Sequence, residues 1–382
     1  MSSLDQELNL RLNALQEQGL RRELRRVDSP QSTRIQINGR DLLNFSSNDY
    51  LGLANHPALK EAAIKAVEKF GVGSGASRLI CGSLAPHHEL EETLATFKGT
   101  NAALTFSSGY AAAIGTICAL VDKDDVIIID KLVHASIVDA ARLSGAKIRV
   151  FKHNDLANLE EILQATAKTK SRCLIVTESV FSMDGDLAPL KELAALKEKY
   201  GAWLMVDEAH ATGLFGKSRS GLGEGLNLDI QMGTLGKALG SSGGYISGSR
   251  TLIDYLVNRA RSFIFSTAPI PAAAAAATAA IRFVQSVEGK TRCELLWKNI
   301  AAFEGAKSAI IPIMIGDETK AVETATELRK QGIFIPAIRY PTVARGQARL
   351  RLTLTASHTE KDIKTLNTAL NSTLVAADVS RP

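Results

Sequence analysis

The stretch Trp203-Leu-Met-Val-Asp207-Glu-Ala-His210 is a short apolar run followed by two carboxylates and a histidine. Apolar runs without polar alternation are typical of strands that helices cover on both faces. In open α/β sheets, ligands bind at the carboxyl ends of such strands. The stretch therefore predicts a buried strand with Asp207 and His210 at its functional end. An Asp that only caps the next helix remains an alternative.

Similar apolar runs of strand length lie on both sides of this stretch, and segments with a helical pattern separate them. The helical segments include His88–Phe97 and Leu187–Tyr200. Strands that alternate with helices predict an α/β domain with a mainly parallel sheet. The strand-length runs are Ala102–Phe106, Val126–Ile129, Lys147–Phe151, Cys173–Thr177, Ala202–Val206 and Gly244–Ser247.

The two ends of the chain have different patterns. The first 45 residues predict an amphipathic helix, with Leu8, Leu12 and Leu15 on one side, and then a hairpin that turns at Asn38-Gly39. Residues 270–300 predict one long connecting helix. A smaller α+β region follows, with strands predicted at Ile310–Ile315, Ile333–Ala337 and Ala348–Leu354 and helices at Lys320–Gln331 and Glu360–Ala377.

These patterns divide the chain into three segments. Residues 1–45 form an N-terminal helix and hairpin arm, residues 46–270 a large α/β domain, and residues 271–382 a connecting helix with a small α+β domain. No run of about 18 apolar residues is present, so no membrane-spanning helix is predicted.

Composition narrows the function classes. The 382 residues are 45% hydrophobic and 22% charged, which is typical of a soluble globular protein. The four cysteines are far apart, so they predict neither a metal site nor disulfides, and reduced thiols in the cytoplasm are the default. The net charge of +5 includes no basic stripe with interleaved aromatics, so nucleic-acid binding is disfavoured. Local positive charge for a phosphate or coenzyme A remains an alternative to a merely solvated surface.

A lysine between glycines is the second chemical feature, in the stretch Thr234-Leu-Gly-Lys237-Ala-Leu-Gly-Ser-Ser-Gly-Gly244. The pKa of a lysine falls readily on burial, which frees its amine to form an imine. Small neighbours leave room for a flat cofactor against the backbone. We therefore interpret Lys237 as a candidate Schiff-base lysine, with a surface lysine in a flexible loop as the alternative.

The turn Ser107-Ser-Gly109-Tyr110 directly follows the run Ala102–Phe106. A strand–turn–helix junction points backbone N–H groups at an anion, which predicts a phosphate site; a simple capped turn is the alternative. Three further residues are weaker candidates when taken singly, because a structural histidine, a capping serine and a strand arginine in an ion pair are the simpler interpretations. They are His134, Ser182 and Arg351.

Two common nucleotide motifs are absent. Gly216-Lys-Ser218 lacks the glycine that a P-loop requires five residues earlier, where the chain has Ala211. The glycines at 71–75 and 221–225 follow G-x-G-x-G and not the dinucleotide pattern G-x-G-x-x-G. The sequence therefore favours neither an ATPase nor a nicotinamide-dependent oxidoreductase.

The order of these features fits pyridoxal-phosphate chemistry better than any single feature does. A glycine turn comes first, then His134 after a strand, Asp207 after another strand, and Lys237 some 30 residues later. In such a site the aspartate keeps the pyridine nitrogen protonated, the histidine covers the ring, the lysine forms the imine and a late arginine takes the substrate carboxylate.

Longer motifs extend this agreement over nearly the whole chain. They are Asn44-Phe-Ser-Ser-Asn-Asp-Tyr-Leu-Gly-Leu53, Phe181-Ser-Met-Asp-Gly-Asp186, Val206-Asp-Glu-Ala-His210, the Lys237 loop and Arg349-Leu-Arg-Leu-Thr-Leu-Thr-Ala356. In these motifs the chain resembles the fold-type I pyridoxal-phosphate enzymes of the α-oxoamine synthase family. The resemblance implies an α/β fold with a mainly parallel mixed sheet flanked by helices, plus a smaller α+β C-terminal domain.

The resemblance also implies residue roles and a homodimer with shared active sites. Lys237, His134, Asp207 and His210 are the implied catalytic residues, and all four also contact the cofactor. Further cofactor contacts are implied for Gly109, Tyr110, Ser182 and Thr234, and, from the partner subunit, for Ser266 and Thr267. Substrate contacts are implied for Arg21, Asn48, His134, Thr342 and Arg351.

Within the family, Leu350–Ala356 and Leu20-Arg21-Arg22 look most like the member of biotin biosynthesis. That resemblance implies condensation of L-alanine with a pimeloyl thioester, carried by coenzyme A or by an acyl carrier protein, with release of CO2. Members that use glycine or serine with other acyl thioesters remain alternatives. A relative that keeps the fold without catalysis is disfavoured, because Lys237, Asp207 and His210 are all present.

Overall fold

The computed structural model describes residues 2–169 and 171–376. The chain groups into two compact units. The large unit comprises residues 49–182 and 186–295, and the small unit comprises residues 1–48, 183–185 and 296–382. The domain boundaries that the sequence suggests at 45/46 and 270/271 stay predictions. The last six residues of the third segment, 377–382, lie outside the described residues.

The large unit contains seven strands and nine complete helices among its described residues. Its strands are β3 (Ala102–Phe106), β4 (Val126–Asp130), β5 (Lys147–Phe151), β6 (Cys173–Glu178), β7 (Trp203–Asp207), β8 (Ile230–Thr234) and β9 (Gly244–Gly248). Its helices are α2 (Pro57–Phe70), α3 (Ala85–Lys98), α4 (Gly109–Leu120), α5 (Ala135–Ser144), α6 (Leu156–Ala167), α7 (Leu190–Tyr200), α8 (Arg250–Arg259), α9 (Arg261–Ile264) and α10 (Pro271–Gln285).

The seven strands form one sheet in the order β3-β9-β8-β7-β6-β4-β5. Every pairing from β8 to β5 is parallel, and β9 runs antiparallel to both of its neighbours. The prediction of a mainly parallel mixed sheet is therefore confirmed. Strand β8, however, was not predicted. In this strand, a Cβ atom at Gly233 would lie 2.5 Å from the Tyr245 ring. The glycine therefore answers to a tertiary contact, and it interrupts the apolar run by which a buried strand is predicted.

The apolar runs are continuous because both faces of the sheet are buried. On β7, Met205 belongs to one hydrophobic cluster, while Leu204 and Val206 belong to the cluster on the other side. Each of these three side chains has no measurable exposure. Burial of such side chains contributes about 1.5–3 kcal/mol each to folding, which makes this strand a rigid support for the residues that follow it.

The long connecting helix predicted over 270–300 is wrong in one respect, because the chain breaks it at Ser286. Helix α10 ends at Gln285, and α11 (Val287–Ile300) begins directly after the break. The Ser286 hydroxyl donates to the Phe283 carbonyl at 2.7 Å and accepts from the Gly289 N–H at 3.1 Å. Gly289 permits the tight junction, since a Cβ atom there would lie 2.1 Å from the Phe283 carbonyl oxygen.

The small unit contains two three-stranded sheets, β1-β2-β11 and β10-β13-β12, with helices around them. Its strands are β1 (Arg34–Ile37), β2 (Arg40–Asn44), β10 (Ile310–Gly316), β11 (Ile333–Phe334), β12 (Ala337–Ile338) and β13 (Ala348–Thr353), and its helices include α1 (Ser3–Glu17), α12 (Glu318–Lys330) and α13 (Glu360–Ala376). The predicted hairpin is confirmed, since β1 and β2 pair antiparallel around Asn38-Gly39. The single strand predicted at Ile333–Ala337 is wrong. Its ends belong to different sheets, with Pro336 between them.

Helix α1 forms where it was predicted, but it buries none of its residues within the chain. Leu8, Leu12 and Leu15 are all exposed. Within residues 2–169 and 171–376, no helix is long and apolar enough to cross a membrane.

Candidate active site

The candidate catalytic residues lie at or just after the carboxyl ends of parallel strands in one sheet. Strand β4 leads to His134, β7 ends at Asp207, and β8 leads to Lys237. Because neighbouring parallel strands end at the same edge of a sheet, these side chains converge there. Strand β6, which lies between β4 and β7, ends in Glu178 and leads to Ser182.

A chain of three polar side chains connects Lys237 to the interior of the large unit. The Nζ atom of Lys237 lies 2.7 Å from Nε2 of His210. The other ring nitrogen of His210, Nδ1, lies 2.5 Å from the hydroxyl of Tyr50, whose side chain is almost fully buried. A histidine with a partner at each nitrogen is fixed in orientation and can pass a proton to or from the lysine amine.

Asp207 is a buried carboxylate beside this lysine. Its Oδ1 atom accepts a hydrogen bond of 2.8 Å from the Ala209 N–H. Burial raises the pKa of the Asp207 carboxyl above its ordinary value, although the positive charge of Lys237 acts in the opposite direction. A cationic ligand group against Asp207 would reduce the cost of burying its charge.

Glu178 is a second buried carboxyl group, opposite Asp207 in the register of β6 and β7. Burial raises the pKa of Glu178 well above its ordinary value, and the charge of Asp207 raises it further. Its Oε1 atom is buried without a hydrogen-bond partner among the described residues. Since like charges disfavour joint ionisation, burial and the charge of Asp207 together favour the protonated form of Glu178.

His134 caps the N-terminus of α5 and interacts electrostatically with the same group of residues. Its Nδ1 atom accepts the Ser136 N–H at 3.2 Å and lies 2.8 Å from the Ser136 hydroxyl. Burial lowers the pKa of His134, the charge of Asp207 raises it, and Lys237 lowers it. With a pKa below its ordinary value, His134 is a neutral imidazole at pH 7.

The N-terminus of α4 lies against the end of β8. Ser108 caps the helix by accepting the Ala111 N–H at 3.0 Å. An atom added as a Cβ on Gly109 would lie 3.9 Å from Cβ of Thr234, so the helix start and Thr234 are neighbours. Helix N-termini favour anions through their free N–H groups and the helix dipole. Tyr110, at the same helix start, donates to Asp139 at 2.7 Å.

The loop that carries Ser182 is held by an ionic contact with His153. Its Nδ1 lies 2.9 Å from Asp130, at the end of β4, and its Nε2 lies 2.7 Å from Asp186. Burial lowers the pKa of His153, but the hydrogen bonds to Asp130 and Asp186 outweigh burial and raise the pKa to about 10. His153 is therefore charged at neutral pH and holds both carboxylates.

A buried ion pair lies directly behind the site. Glu208 follows Asp207 in the chain and pairs with Lys98, and both side chains are within 1% of complete burial. The Gly223 N–H donates to the other Glu208 oxygen at 2.7 Å. These contacts of the Glu208 side chain hold the backbone next to Asp207 in place.

Replacing Lys98 with methionine should destabilise the protein, because Glu208 would remain buried without its cation. We expect the free energy of unfolding to fall by about 3–5 kcal/mol. The double variant Lys98→Met/Glu208→Gln should recover part of this loss, since it leaves no buried charge. Urea unfolding at pH 7 measures both variants, and a single variant as stable as the unmodified protein would contradict the assignment.

The structure brings together Lys237, His210, Asp207 and His134, and it places Gly109 beside Thr234. Thr267 forms a β-bridge with Ser77, and the assignment of Ser266 and Thr267 to the site of a second copy stays a prediction. The predicted substrate residues all belong to the small unit, apart from His134. They form two groups, in which Arg351 donates to Asn48 at 3.0 Å and Arg21 and Thr342 line one cavity.

Two residues of this cluster were missed by sequence reasoning. Tyr50 lies in a motif that carried the family resemblance, but only the fold shows that its hydroxyl contacts His210. Glu178 could have been found, because it ends a strand as Asp207 does. In that stretch the sequence analysis favours Ser182, four residues later.

Comparisons with a family model and with individual proteins indicate the same family for this chain. A model described as aminotransferase class I and II matches residues 40–370. A protein from Geotalea daltonii named 8-amino-7-oxononanoate synthase is 50% identical over 367 residues, which are 92% of this chain and 93% of that protein. A protein of the same name from Geobacter sulfurreducens is 49% identical over 368 residues, 92% of this chain and 94% of the other.

Solved structures agree with this family. A serine palmitoyltransferase with PLP internal aldimine superimposes with a TM-score of 0.92 at 31% identity, and the match covers 100% of both chains. An 8-amino-7-oxononanoate synthase from Francisella tularensis superimposes with a TM-score of 0.75 at 28% identity, covering 88% of this chain and 99% of that one. The chain therefore belongs to the class I and II aminotransferase family and, within it, to the family of the 8-amino-7-oxononanoate synthases. The predictions of a fold-type I fold and of pyridoxal phosphate as cofactor are confirmed.

The residues of the large unit fit this cofactor. The site has a lysine amine for its aldehyde, a buried carboxylate for its pyridine nitrogen and a helix N-terminus for its phosphate. The unpartnered Oε1 atom of Glu178 gives independent support, because a buried oxygen without a donor is costly unless a ligand or water reaches it.

Proposed function

We propose that this chain condenses L-alanine with a pimeloyl thioester to give 8-amino-7-oxononanoate, CO2 and the free thiol, in biotin biosynthesis. The observation that carries the proposal is the contact between the Lys237 amine and His210 beside the buried Asp207. This arrangement suits removal of a proton from the α-carbon of an amino acid. The names of the relatives supply the choice of amino acid and acyl group.

In the net reaction one carbon–carbon bond forms, and one carbon–sulfur bond and one carbon–carbon bond break. The α-carbon of alanine loses its proton and bonds to the acyl carbonyl carbon, and the thiolate leaves and takes up a proton. The carboxyl group then leaves as CO2, and the α-carbon is protonated again. Pyridoxal phosphate, when bound, supplies the electron sink for the negative charge at the α-carbon.

The proposed roles of the chain's residues follow from their positions in the large unit. Lys237 would hold the cofactor and, once alanine displaces its amine, take the α-proton. His210 would exchange that proton with Lys237 across their 2.7 Å contact. Asp207 would keep a proton on the pyridine nitrogen, and a neutral His134 would cover the ring without adding positive charge.

The remaining assignments rest on the resemblance. Ser182 and His210 would lie near the phenolic oxygen of the cofactor, Gly109 and Tyr110 beside the cofactor, and Thr234 near its phosphate. Arg351, whose guanidinium is already oriented by Asn48 and Thr353, would take the alanine carboxylate, with Arg21 and Thr342 as further substrate contacts. We also propose a homodimer in which Ser266 and Thr267 reach the partner's cofactor phosphate, and a cytoplasmic location.

Thiol release across a grid of substrates tests this proposal. The purified protein, loaded with pyridoxal phosphate, is mixed with alanine, glycine or serine and with pimeloyl-, acetyl-, succinyl- or palmitoyl-CoA. We expect release only with alanine and pimeloyl-CoA. Release with glycine and acetyl- or succinyl-CoA, or with serine and palmitoyl-CoA, would instead assign the activity of another α-oxoamine synthase and contradict the proposed substrates.

A further inference from the structure

Residues 182–185 form the tip of a short hairpin that follows strand β6. An antiparallel β-bridge closes the hairpin, and the Phe181 N–H donates to the Asp186 carbonyl at 3.0 Å. The hairpin begins and ends in the large unit, but residues 183–185 belong to the small unit. Ser182, for which a cofactor contact is proposed, is therefore the last large-unit residue before the chain enters the small unit.

Arg349 of strand β13 holds this tip within the small unit. Its side chain is only 7% exposed, and its Nη1 atom donates to Oδ1 of Asp184 at 2.5 Å and to the Met183 carbonyl at 3.3 Å. Its Nε atom donates to the Gln347 carbonyl at 3.1 Å, which fixes the orientation of the guanidinium group. Because the arginine is shielded from water and fully oriented, this ion pair holds the tip more firmly than a surface pair would.

Gly185 packs the same tip tightly against the small unit. Its φ angle is +71°, and a Cβ atom there would lie 2.1 Å from the Ile310 carbonyl oxygen. Ile310 begins strand β10, which pairs with β13. Glycine is needed for this close approach of two backbones. The tip therefore lies on the sheet that carries Arg349.

We propose that Arg349 is a positioning residue, which holds Asp184 and thereby keeps the Ser182 hydroxyl at the phenolic oxygen of the cofactor. The inference rests on the place of Ser182 in the proposed function. The other side of the turn is fixed in the large unit, where Nε2 of His153 lies 2.7 Å from Asp186. With that side fixed, the ion pair of Arg349 determines where the tip lies.

The acid–base behaviour of the bound cofactor reports the position of Ser182. A hydroxyl that donates to the phenolic oxygen stabilises the negative charge of that oxygen and weakens its attraction for the proton of the imine with Lys237. When this hydrogen bond is lost, the imine nitrogen keeps its proton to higher pH. The absorbance of the cofactor follows this protonation and requires no substrate.

A pH titration of that absorbance, on the full-length enzyme loaded with pyridoxal phosphate, tests the proposal. We expect Ser182→Ala to raise the midpoint by about one pH unit. Asp184→Asn and Arg349→Met should both raise it, each by about half a unit or more. Direct loss of charge would instead move the two midpoints in opposite directions, because one variant removes a negative and the other a positive group. A midpoint that fails to rise in either folded variant would overturn the proposal.

A double variant tests whether Arg349 acts through Ser182. Ser182→Ala/Arg349→Met should have the midpoint of Ser182→Ala, because the hydrogen bond is already lost, and additive shifts would contradict the proposal. Arg34→Met is the matched control, since Arg34 is an exposed arginine of the small unit that pairs with Asp362 at 3.3 Å. It should leave the midpoint unchanged, and a rise equal to that of Arg349→Met would also overturn the assignment.

Folding and the proposed function are tested separately from this inference. Near-ultraviolet circular dichroism checks each variant. The Asp184 side chain is 32% exposed and asparagine has its shape, so Asp184→Asn decides the question if Arg349→Met does not fold. Failure of the thiol-release grid leaves the titration decisive, because no thioester is used. No shift in Ser182→Ala would overturn both the proposed place of Ser182 and this inference, whereas a shift there without a rise in Asp184→Asn would overturn this inference alone.

Discussion

Replacing Lys237 with alanine should abolish thiol release from pimeloyl-CoA in the presence of alanine, while the protein stays folded. The Lys237 amine is only half-buried and lies in a loop, so its loss removes little packing. It does remove the group that contacts His210 at 2.7 Å and that we propose as the base for the α-proton. A positioned acid–base group typically contributes about 10²–10⁴-fold, and loss of the covalent attachment adds to this.

The measurement is the rate of thiol release, together with a near-ultraviolet circular dichroism spectrum as a check on folding. Lys217→Ala is the matched control. Lys217 is an exposed lysine of the same large unit, in the Gly216-Lys-Ser218 stretch that does not form a P-loop. It should retain full activity. Substantial activity of a folded Lys237→Ala protein would place the essential amine elsewhere.

The sequence predicted the sheet well because burial on both faces leaves a strong local signal. In the runs that contain Ile127, Leu174 and Leu204, successive residues belong to the hydrophobic clusters on opposite faces of the sheet. Each of these residues is therefore apolar. Strand β8 has no such signal. Its Gly233 is required by the ring of Tyr245 on the neighbouring strand, a contact between residues that no local pattern relates. The break at Ser286 was missed for a similar reason, since a serine in a helical pattern does not itself indicate a junction.

The residues of the candidate site likewise include some that local patterns predict and others that only the fold reveals. His134 and Asp207 could be predicted together, because each lies at or after the end of a predicted strand and parallel strands end at one edge. Lys237 was predicted from its glycine-rich loop and from its place after Asp207, because strand β8, which leads to it, was not predicted. Tyr50 could not be predicted, since it precedes His210 by 160 residues and lies in no strand. The cavity that Arg21 and Thr342 line was equally hidden, because Arg25 lies near one end of the sequence and Arg329 and Arg339 near the other, and only the fold brings them together. The mild net charge suggested an anionic ligand but not its location.

Replacing Asp207 with asparagine should leave the cofactor bound but stop the exchange of the α-hydrogen of alanine with solvent. The carboxylate at the end of β7 is buried, and an ionised group there would keep the pyridine nitrogen of the cofactor protonated. Asparagine has the same shape and no charge, so it cannot hold that proton. Loss of a preorganised charge at a reacting centre typically costs about 10²–10³-fold, and we expect at least this decrease in the exchange rate.

Glu178→Gln is the control that makes this prediction specific to charge. Burial and the charge of Asp207 raise the pKa of Glu178 well above its ordinary value, which favours the protonated carboxyl, and a protonated carboxyl closely resembles the amide of glutamine. The two carboxyl groups are neighbours in register, yet only the substitution at Asp207 should remove a charge. Proton NMR of alanine in D2O measures exchange, and the absorbance of the bound cofactor reports its retention. Normal exchange in Asp207→Asn would refute the electron-sink role of this carboxylate. An equal loss in Glu178→Gln would mean that Glu178, and not Asp207 alone, carries the negative charge of the site.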